Sequence, residues 1–191
     1  RKLVWTYKEA MIPEKMPNSL LVIGSGAIGV EFASFYRLIG ADVTIVEVQD
    51  RILPVEDKEI STFAQKSFEK QGMKIHTSST VKALKKNKNS VTATLEIQGK
   101  SQEIMIDRVI LAVGIEGNTE NLGLEKTKVK VEKGHIVTNE WCATDEPGVY
   151  AIGDVAAGPW LAHKASHEGA LCVEKIKGLK TVHPMKKTNI P

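Results

Sequence analysis

The chain has 191 residues, of which 42% are hydrophobic and 26% charged, and its formal net charge is +3. These values describe a globular protein of one large domain, or of one and a half ordinary ones, and exclude a strongly basic nucleic-acid binder. No apolar stretch approaches the ~20 residues of a membrane span, the opening Arg1-Lys2-Leu3-Val4-Trp5 is not a signal peptide, and Cys142 and Cys172 form neither a CxxC nor a metal-ligand spacing.

Residues 1–19 read as a lead-in broken by Pro13 and Pro17. Leu20-Leu21-Val22-Ile23 then forms an apolar strand. It runs into Gly24-Ser25-Gly26-Ala27-Ile28-Gly29, followed by a helical stretch from Val30 to Ile39. A second apolar run, Val43 to Val46, ends on Glu47. Strand, GxGxxG, helix, strand and a terminal acid form the layout of a dinucleotide-binding βαβ unit. Gly24 permits the tight turn, Gly26 lets backbone approach a pyrophosphate, and Gly29 lets helix and strand pack closely. The helix N-terminus offers N–H groups and a positive dipole end to phosphates. Glu47 falls where the ribose-binding acid belongs. A carboxylate there accepts from both ribose hydroxyls and repels a 2′-phosphate, so the expected cofactor is NAD(H) rather than NADP(H). No arginine follows at Val48 or Gln49.

Asp50 to Glu56 is a connection containing Pro54. From Asp57 to Gln71, the residues Ile60, Phe63, Ala64 and Phe68 recur at helical spacing, and Gly72 stops the helix. Met73 to His76 reads as a third parallel strand. Thr80 to Leu84, Ser90 to Ile97 and Gln102 to Ile106 alternate partly and read as an antiparallel meander inserted into the parallel domain. Lys85-Lys86-Asn87-Lys88 is a solvated turn within it. Arg108 to Val113 reads as a buried parallel strand ending at Gly114.

Beyond Gly114 the chain changes character. Gly117, Asn118, Gly123, Gly134, Pro147 and Gly148 punctuate short strand candidates. Val149-Tyr150-Ala151-Ile152 reads as one more buried strand, ending at Gly153-Asp154, and Leu161 to Ile176 as a helix. His163 and His167 share a helix face, but no third ligand or HExxH accompanies them, so no metal site is expected. Cys142 and Cys172 read as isolated thiols.

Five blocks occur in the order of a known family. They are Val22 to Glu31 around the glycines, Asp50-Arg51-Ile52-Leu53-Pro54, Asn121-Leu122-Gly123-Leu124-Glu125, Val149 to Val155, and Gly158-Pro159-Trp160-Leu161-Ala162-His163-Lys164-Ala165. Across all 191 residues the chain resembles the middle of the dihydrolipoamide dehydrogenases, within the pyridine-nucleotide disulfide oxidoreductases. The last block points to the lipoamide branch rather than to glutathione or mercuric reductases, and disfavours an NADH oxidase or peroxidase.

The resemblance implies an α/β fold with a Rossmann-like NAD-binding domain (parallel sheet plus antiparallel meander) over 1–117. Residues 118–183 would be a returning portion of an FAD-binding domain, and 184–191 the start of a dimer interface domain. It implies cofactor contacts from Gly24, Ser25, Gly26, Ala27, Ile28, Gly29, Val30, Glu31, Glu47, Val81, Gly114, Asp154, Trp160, Leu161, Ala162 and His163. Glu31 would lie near the nicotinamide and flavin, although an acid in a first helical turn is favourable in any case. Asp154 would bond the flavin's ribityl chain, although it could merely cap a turn. Trp160 to His163 would approach the isoalloxazine. The family often reads GRxPN where this chain has Gly114-Ile115-Glu116-Gly117-Asn118, and Ile115 receives no role.

The implied activity is oxidation of protein-bound dihydrolipoamide, with electrons passing through a disulfide and FAD to NAD+ as hydride. Neither the CxxxxC of that disulfide nor a second glycine motif occurs here, and no catalytic residue is assigned. The chain is therefore expected to be the central part of a longer protein. The implied partners are a second copy and the lipoyl domains of 2-oxoacid dehydrogenase complexes, with no nucleic acid and no membrane. The expected location is cytoplasmic, or else the mitochondrial matrix. A stand-alone NAD-binding module is the rival reading; it leaves Asp154 and the 161–163 segment without a partner.

Overall fold

The computed structural model describes residues 2–185. The chain divides into two compact units, 1–114 and 115–191.

The first unit is built on a parallel sheet. Its strands are β1 (Val4–Trp5), β2 (Ser19–Ile23), β3 (Asp42–Val46), β4 (Lys74–His76) and β8 (Arg108–Leu111), in the order β1-β8-β2-β3-β4. Helices α1 (Tyr7–Met11), α2 (Ala27–Leu38) and α3 (Lys58–Lys70) connect them. The meander, β5 (Ser79–Lys86), β6 (Val91–Ile97) and β7 (Lys100–Ile106), forms a separate antiparallel sheet in the order β5-β6-β7. The α/β class, the third parallel strand and the inserted meander are as expected.

Side chains alternate across a strand, and β2 shows the consequence. Leu20 and Val22 pack with Tyr36, Val43, Ile45 and Ile110, joined by Phe32 and Phe68 from the helices. Leu21 packs with the meander residues Val91, Ala93, Leu95 and Ile106. The parallel sheet is thus covered by helices on one face and by the meander on the other, which is why β2 is apolar throughout. Asp57 starts α3 by accepting from the backbone N–H of Glu59 at 2.8 Å. Gly72, at φ +91, follows the helix C-terminus in the left-handed conformation common there.

Three expectations are corrected. The lead-in is structured: Val4–Trp5 pairs in parallel with β8, and Trp5 is buried with its Nε1 donating to the Lys2 carbonyl at 2.9 Å. Strand β8 ends at Leu111 rather than Val113; Val109 and Ile110 are buried, but Val113 is 74% exposed because the sheet has ended. Helix α2 begins at Ala27, three residues before the expected Val30, and it includes Gly29.

The second unit holds two short 3-10 turns (Leu124–Lys126 and Gly153–Val155), a hairpin of β9 (Val131–Glu132) and β10 (His135–Ile136), and helix α4 (Ala162–Ile176). Cys142, Leu171 and Cys172 form its small core. Val149 to Ile152 is not a strand. Tyr150 makes one isolated bridge to Ala143, and only Ala151 of the four is buried. An apolar run becomes a strand only with a ladder partner alongside, and the described residues place none beside it beyond that bridge.

Candidate functional site

The C-terminal ends of β2, β3 and β8 open into a cleft of about 720 Å³. Cavities of this size hold dinucleotide fragments and comparable ligands, and the carboxyl end of a parallel sheet is where such ligands sit. The floor is Gly24, Ser25 and Gly26. One wall is Glu47, Val48 and Gln49; another is Ser79 to Leu84 of the meander; and Ala112 to Gly114 complete the rim.

Each glycine of the turn has a separate physical reason. Gly24 has φ +96, and a Cβ there would lie 2.3 Å from the Ala112 carbonyl oxygen. A Cβ on Gly29 would lie 2.2 Å from the Gly24 carbonyl oxygen. Both positions are closed by the protein's own backbone. Gly26 is different, since a Cβ there would meet nothing within 4 Å. It is also the N-cap of α2, where no side chain caps the helix. Helix N-termini carry N–H groups without intrahelical acceptors, so this end can receive an anion.

Glu47 is only 6% exposed and Ser25 fully buried. Glu47 Oε2 accepts from the Ser25 backbone N–H at 2.9 Å and from Ser25 Oγ at 2.7 Å. Its Oε1 accepts from the Gln49 N–H at 2.8 Å. The Ser25 carbonyl accepts from the Leu53 N–H at 2.9 Å, and the Leu53 carbonyl accepts from Ser61 Oγ of α3 at 3.0 Å. The block Asp50 to Pro54 therefore buttresses the glycine turn. Arg51 bonds Asp50 Oδ1 at 3.1 Å and the Pro54 carbonyl at 3.2 Å, which makes it part of that buttress.

Of the residues singled out in sequence, Gly24, Ser25, Gly26, Glu47, Val81 and Gly114 all line this cleft. Gly29 and Val30 lie buried beneath it in α2, while Ala27, Ile28 and Glu31 are exposed on that helix. Sequence reasoning missed Gln49 and the run Ser79 to Leu84 around Val81. A meander strand carries no local feature that marks it as a cleft wall. Thr80 Oγ1, in this wall, is buried with no hydrogen-bond partner.

The remaining expected residues belong to the second unit. Asp154 is exposed in the 3-10 turn, and Leu161, Ala162 and His163 are exposed at the start of α4, where Leu161 is the N-cap without a side-chain cap. Trp160 Nε1 donates to His135 Nε2 at 3.2 Å, and the two rings meet edge to face. Here too sequence reasoning missed a pair, Lys164 and Glu168, both buried. Among the described residues no three His, Cys, Asp or Glu side chains gather as a metal site, and no helix is long and apolar enough to cross a membrane.

The fold and the glycine cleft define a Rossmann-like dinucleotide-binding protein. Residues 2–169 match the family described as pyridine nucleotide-disulphide oxidoreductase, and the chain belongs to that family. It is 56% identical over 191 residues to a dihydrolipoyl dehydrogenase of Rhizobium etli, a match covering 100% of this chain and 40% of that one. It is 46% identical to a dihydrolipoyl dehydrogenase of Zymomonas mobilis, covering 100% of this chain and 41% of the relative. The chain thus spans about 40% of the length of these relatives. Among solved structures, LpdA from Mycobacterium tuberculosis superposes with a TM-score of 0.84 at 25% identity, covering 95% of this chain and 39% of that one.

Proposed function

We propose that the chain is the NAD-binding and flavin-contacting segment of a dihydrolipoyl dehydrogenase. The observation that carries this reading is the cleft over Gly24, Ser25 and Gly26 with Glu47 in its wall. The residues fit a dinucleotide: Gly26 leaves open space where backbone meets a pyrophosphate, and the uncapped start of α2 faces the same end of the sheet. Glu47 borders the cleft with an acidic edge, and neither Val48 nor Gln49 supplies a cation for a 2′-phosphate.

The domain assignment that goes with this is NAD binding by 1–117, flavin contact by 118–183, and the start of a dimer interface over 184–191, of which 186–191 lie outside the described residues. NAD+ and FAD supply the hydride acceptor and the relay. The chain's own residues bind and orient. Gly24 to Val30 cradle the phosphates, Glu47 aligns the ribose, Val81 and Gly114 border the dinucleotide, and Glu31 stands toward the nicotinamide. Asp154 holds the ribityl chain, and Trp160 to His163 flank the flavin. No residue here acts as nucleophile or acid/base. A homodimer and the lipoyl domains of 2-oxoacid dehydrogenase complexes are the partners of this reading, and the bacterial cytoplasm, or else the mitochondrial matrix, is its location.

The test is a fluorescence titration of the purified protein with NADH and with NADPH, together with its visible absorption spectrum. The expected result is tighter binding of NADH by about tenfold or more and a flavin band. A colourless protein that binds both nucleotides equally overturns the reading.

A further inference from the structure

Two charged side chains are among the most buried in the second unit. Lys164 is 1% exposed and Glu168 3%. One helical turn apart on α4, they form an ion pair at 3.2 Å. An i,i+4 pair of this kind belongs on a helix surface, where it contributes little. Buried, it is costly, and an apolar pair of similar volume is often as stable. Such a pair is by itself weak evidence for stability.

What else the pair touches points to a role. Lys164 Nζ donates to the Gly153 carbonyl at 3.0 Å, and the Gly153 N–H donates to Glu168 Oε2 at 2.7 Å. The same carbonyl accepts from the Ala156 N–H at 3.0 Å. Both polar groups of one glycine are thus gripped by the pair. Gly153 has φ +71, and a Cβ on it would lie 3.3 Å from the Ala165 Cβ. The next residue is Asp154, whose carboxylate stands exposed on a peptide held from both sides.

We propose that Lys164 and Glu168 are positioning residues that fix the Gly153 peptide and thereby aim the Asp154 carboxylate at the flavin's ribityl hydroxyls. This inference rests on the flavin reading of Asp154. The pair touches no cofactor itself; it acts through Gly153.

The experiment uses the full-length flavoprotein. FAD is stripped and titrated back onto the wild type, Asp154→Asn, the apolar double variant Lys164→Met/Glu168→Leu, and the triple combination. Melting temperatures of the apoproteins are measured alongside. The double variant removes both buried charges together but leaves the buried Gly153 N–H without its acceptor, so its apoprotein melts a few degrees below wild type, and its FAD dissociation constant rises about tenfold, roughly what one charge-assisted hydrogen bond supplies. Asp154→Asn weakens FAD by a similar factor, and the triple variant is no worse than Asp154→Asn, because both changes remove one interaction.

If Asp154→Asn weakens FAD while the double variant binds as wild type, the pair is merely structural and the inference falls. If Asp154→Asn itself binds as wild type, the flavin reading of Asp154 falls, and the inference with it. Should the double variant fail to fold, Glu168→Gln, matched in volume, decides the matter. The gain in melting temperature on adding FAD shrinks relative to wild type if the pair positions Asp154, and is unchanged if it does not.

Discussion

The carboxylate of Glu47 holds the glycine turn independently of any ligand, and this has a measurable consequence. Three donors converge on it, all within 2.9 Å: the Ser25 N–H, the Ser25 hydroxyl and the Gln49 N–H. Glu47→Gln preserves volume but leaves one acceptor oxygen where two are in use. Either both Ser25 donors or the Gln49 N–H then face an NH₂ group. Hydrogen bonds to charged groups contribute about 1.5–3 kcal/mol, and an unsatisfied buried donor costs about 1–3 kcal/mol. The expected loss is about 2–4 kcal/mol. At ~2–4 °C per kcal/mol for a chain of this size, the melting temperature falls by about 5–15 °C. The assay is thermal or urea unfolding of wild type, Glu47→Gln, Ser25→Ala and the double variant. Ser25→Ala removes only the hydroxyl bond, and its cost shrinks in the Glu47→Gln background, giving a coupling of about 1–2 kcal/mol. A Glu47→Gln protein within ~0.5 kcal/mol of wild type, or strictly additive variants, would refute the anchoring role.

Further outcomes follow from the same geometry. Glu47→Arg lowers NADH affinity and shifts preference toward NADPH, though it also releases Ser25; nucleotide titrations that give an unchanged preference count against the ribose role. Gly26→Val keeps the fold, since φ is −65° and a Cβ meets nothing, but it abolishes NADH binding; circular dichroism with an NADH titration checks both halves. Gly29→Ala does the opposite, driving a methyl into the Gly24 carbonyl, and is expected to cost more than about 3 kcal/mol of stability, which denaturant unfolding measures. The His76 imidazole titrates below its usual 6.5, because burial and then the nearby Lys74 charge disfavour the protonated form. The unfolded chain therefore binds the proton first as pH falls. His76's contribution to stability is complete above pH 6.5 and declines as pH drops from there toward the folded value. An NMR titration placing His76 at or above 6.5 would remove that dependence.

The parts of the fold that could be read from sequence are those where local pattern and tertiary role coincide. Strands β2 and β3 are short apolar runs because both faces of the sheet are covered, and the glycines mark the turn from β2 into α2. Asp57 and Gly72 bracket α3 with ordinary capping chemistry. Two kinds of element were hidden. Val4–Trp5 is a strand of two residues, and it exists because β8, about a hundred residues later, lies beside it. No window around Trp5 contains that information. Val149 to Ile152 shows the converse: an apolar run of strand-like composition has no ladder when its neighbours in space are not strands. Helix α2 begins at Ala27 and runs through Gly29, although glycine is a poor helix former. Its missing side chain is what lets the first turn lie against the Gly24 carbonyl, so packing outweighs propensity there.

The site divides along a related line. Gly24, Gly26 and Gly29 are legible because their role is a backbone conformation or a close approach, and glycine is nearly the only answer to either. Glu47 is legible by position, but not its second task, since the hydroxyl and N–H it accepts from belong to Ser25, a residue the motif leaves variable. Lys164 and Glu168 were least legible of all. In sequence they form an i,i+4 pair on an amphipathic helix, indistinguishable from a surface pair. Only the fold reveals that the helix turns this pair inward onto Gly153. A residue's chemistry can be read from sequence when the chain itself forces the choice. When the choice is forced by a distant backbone group, the same letters read as ordinary surface charge, and the structure alone separates the two cases.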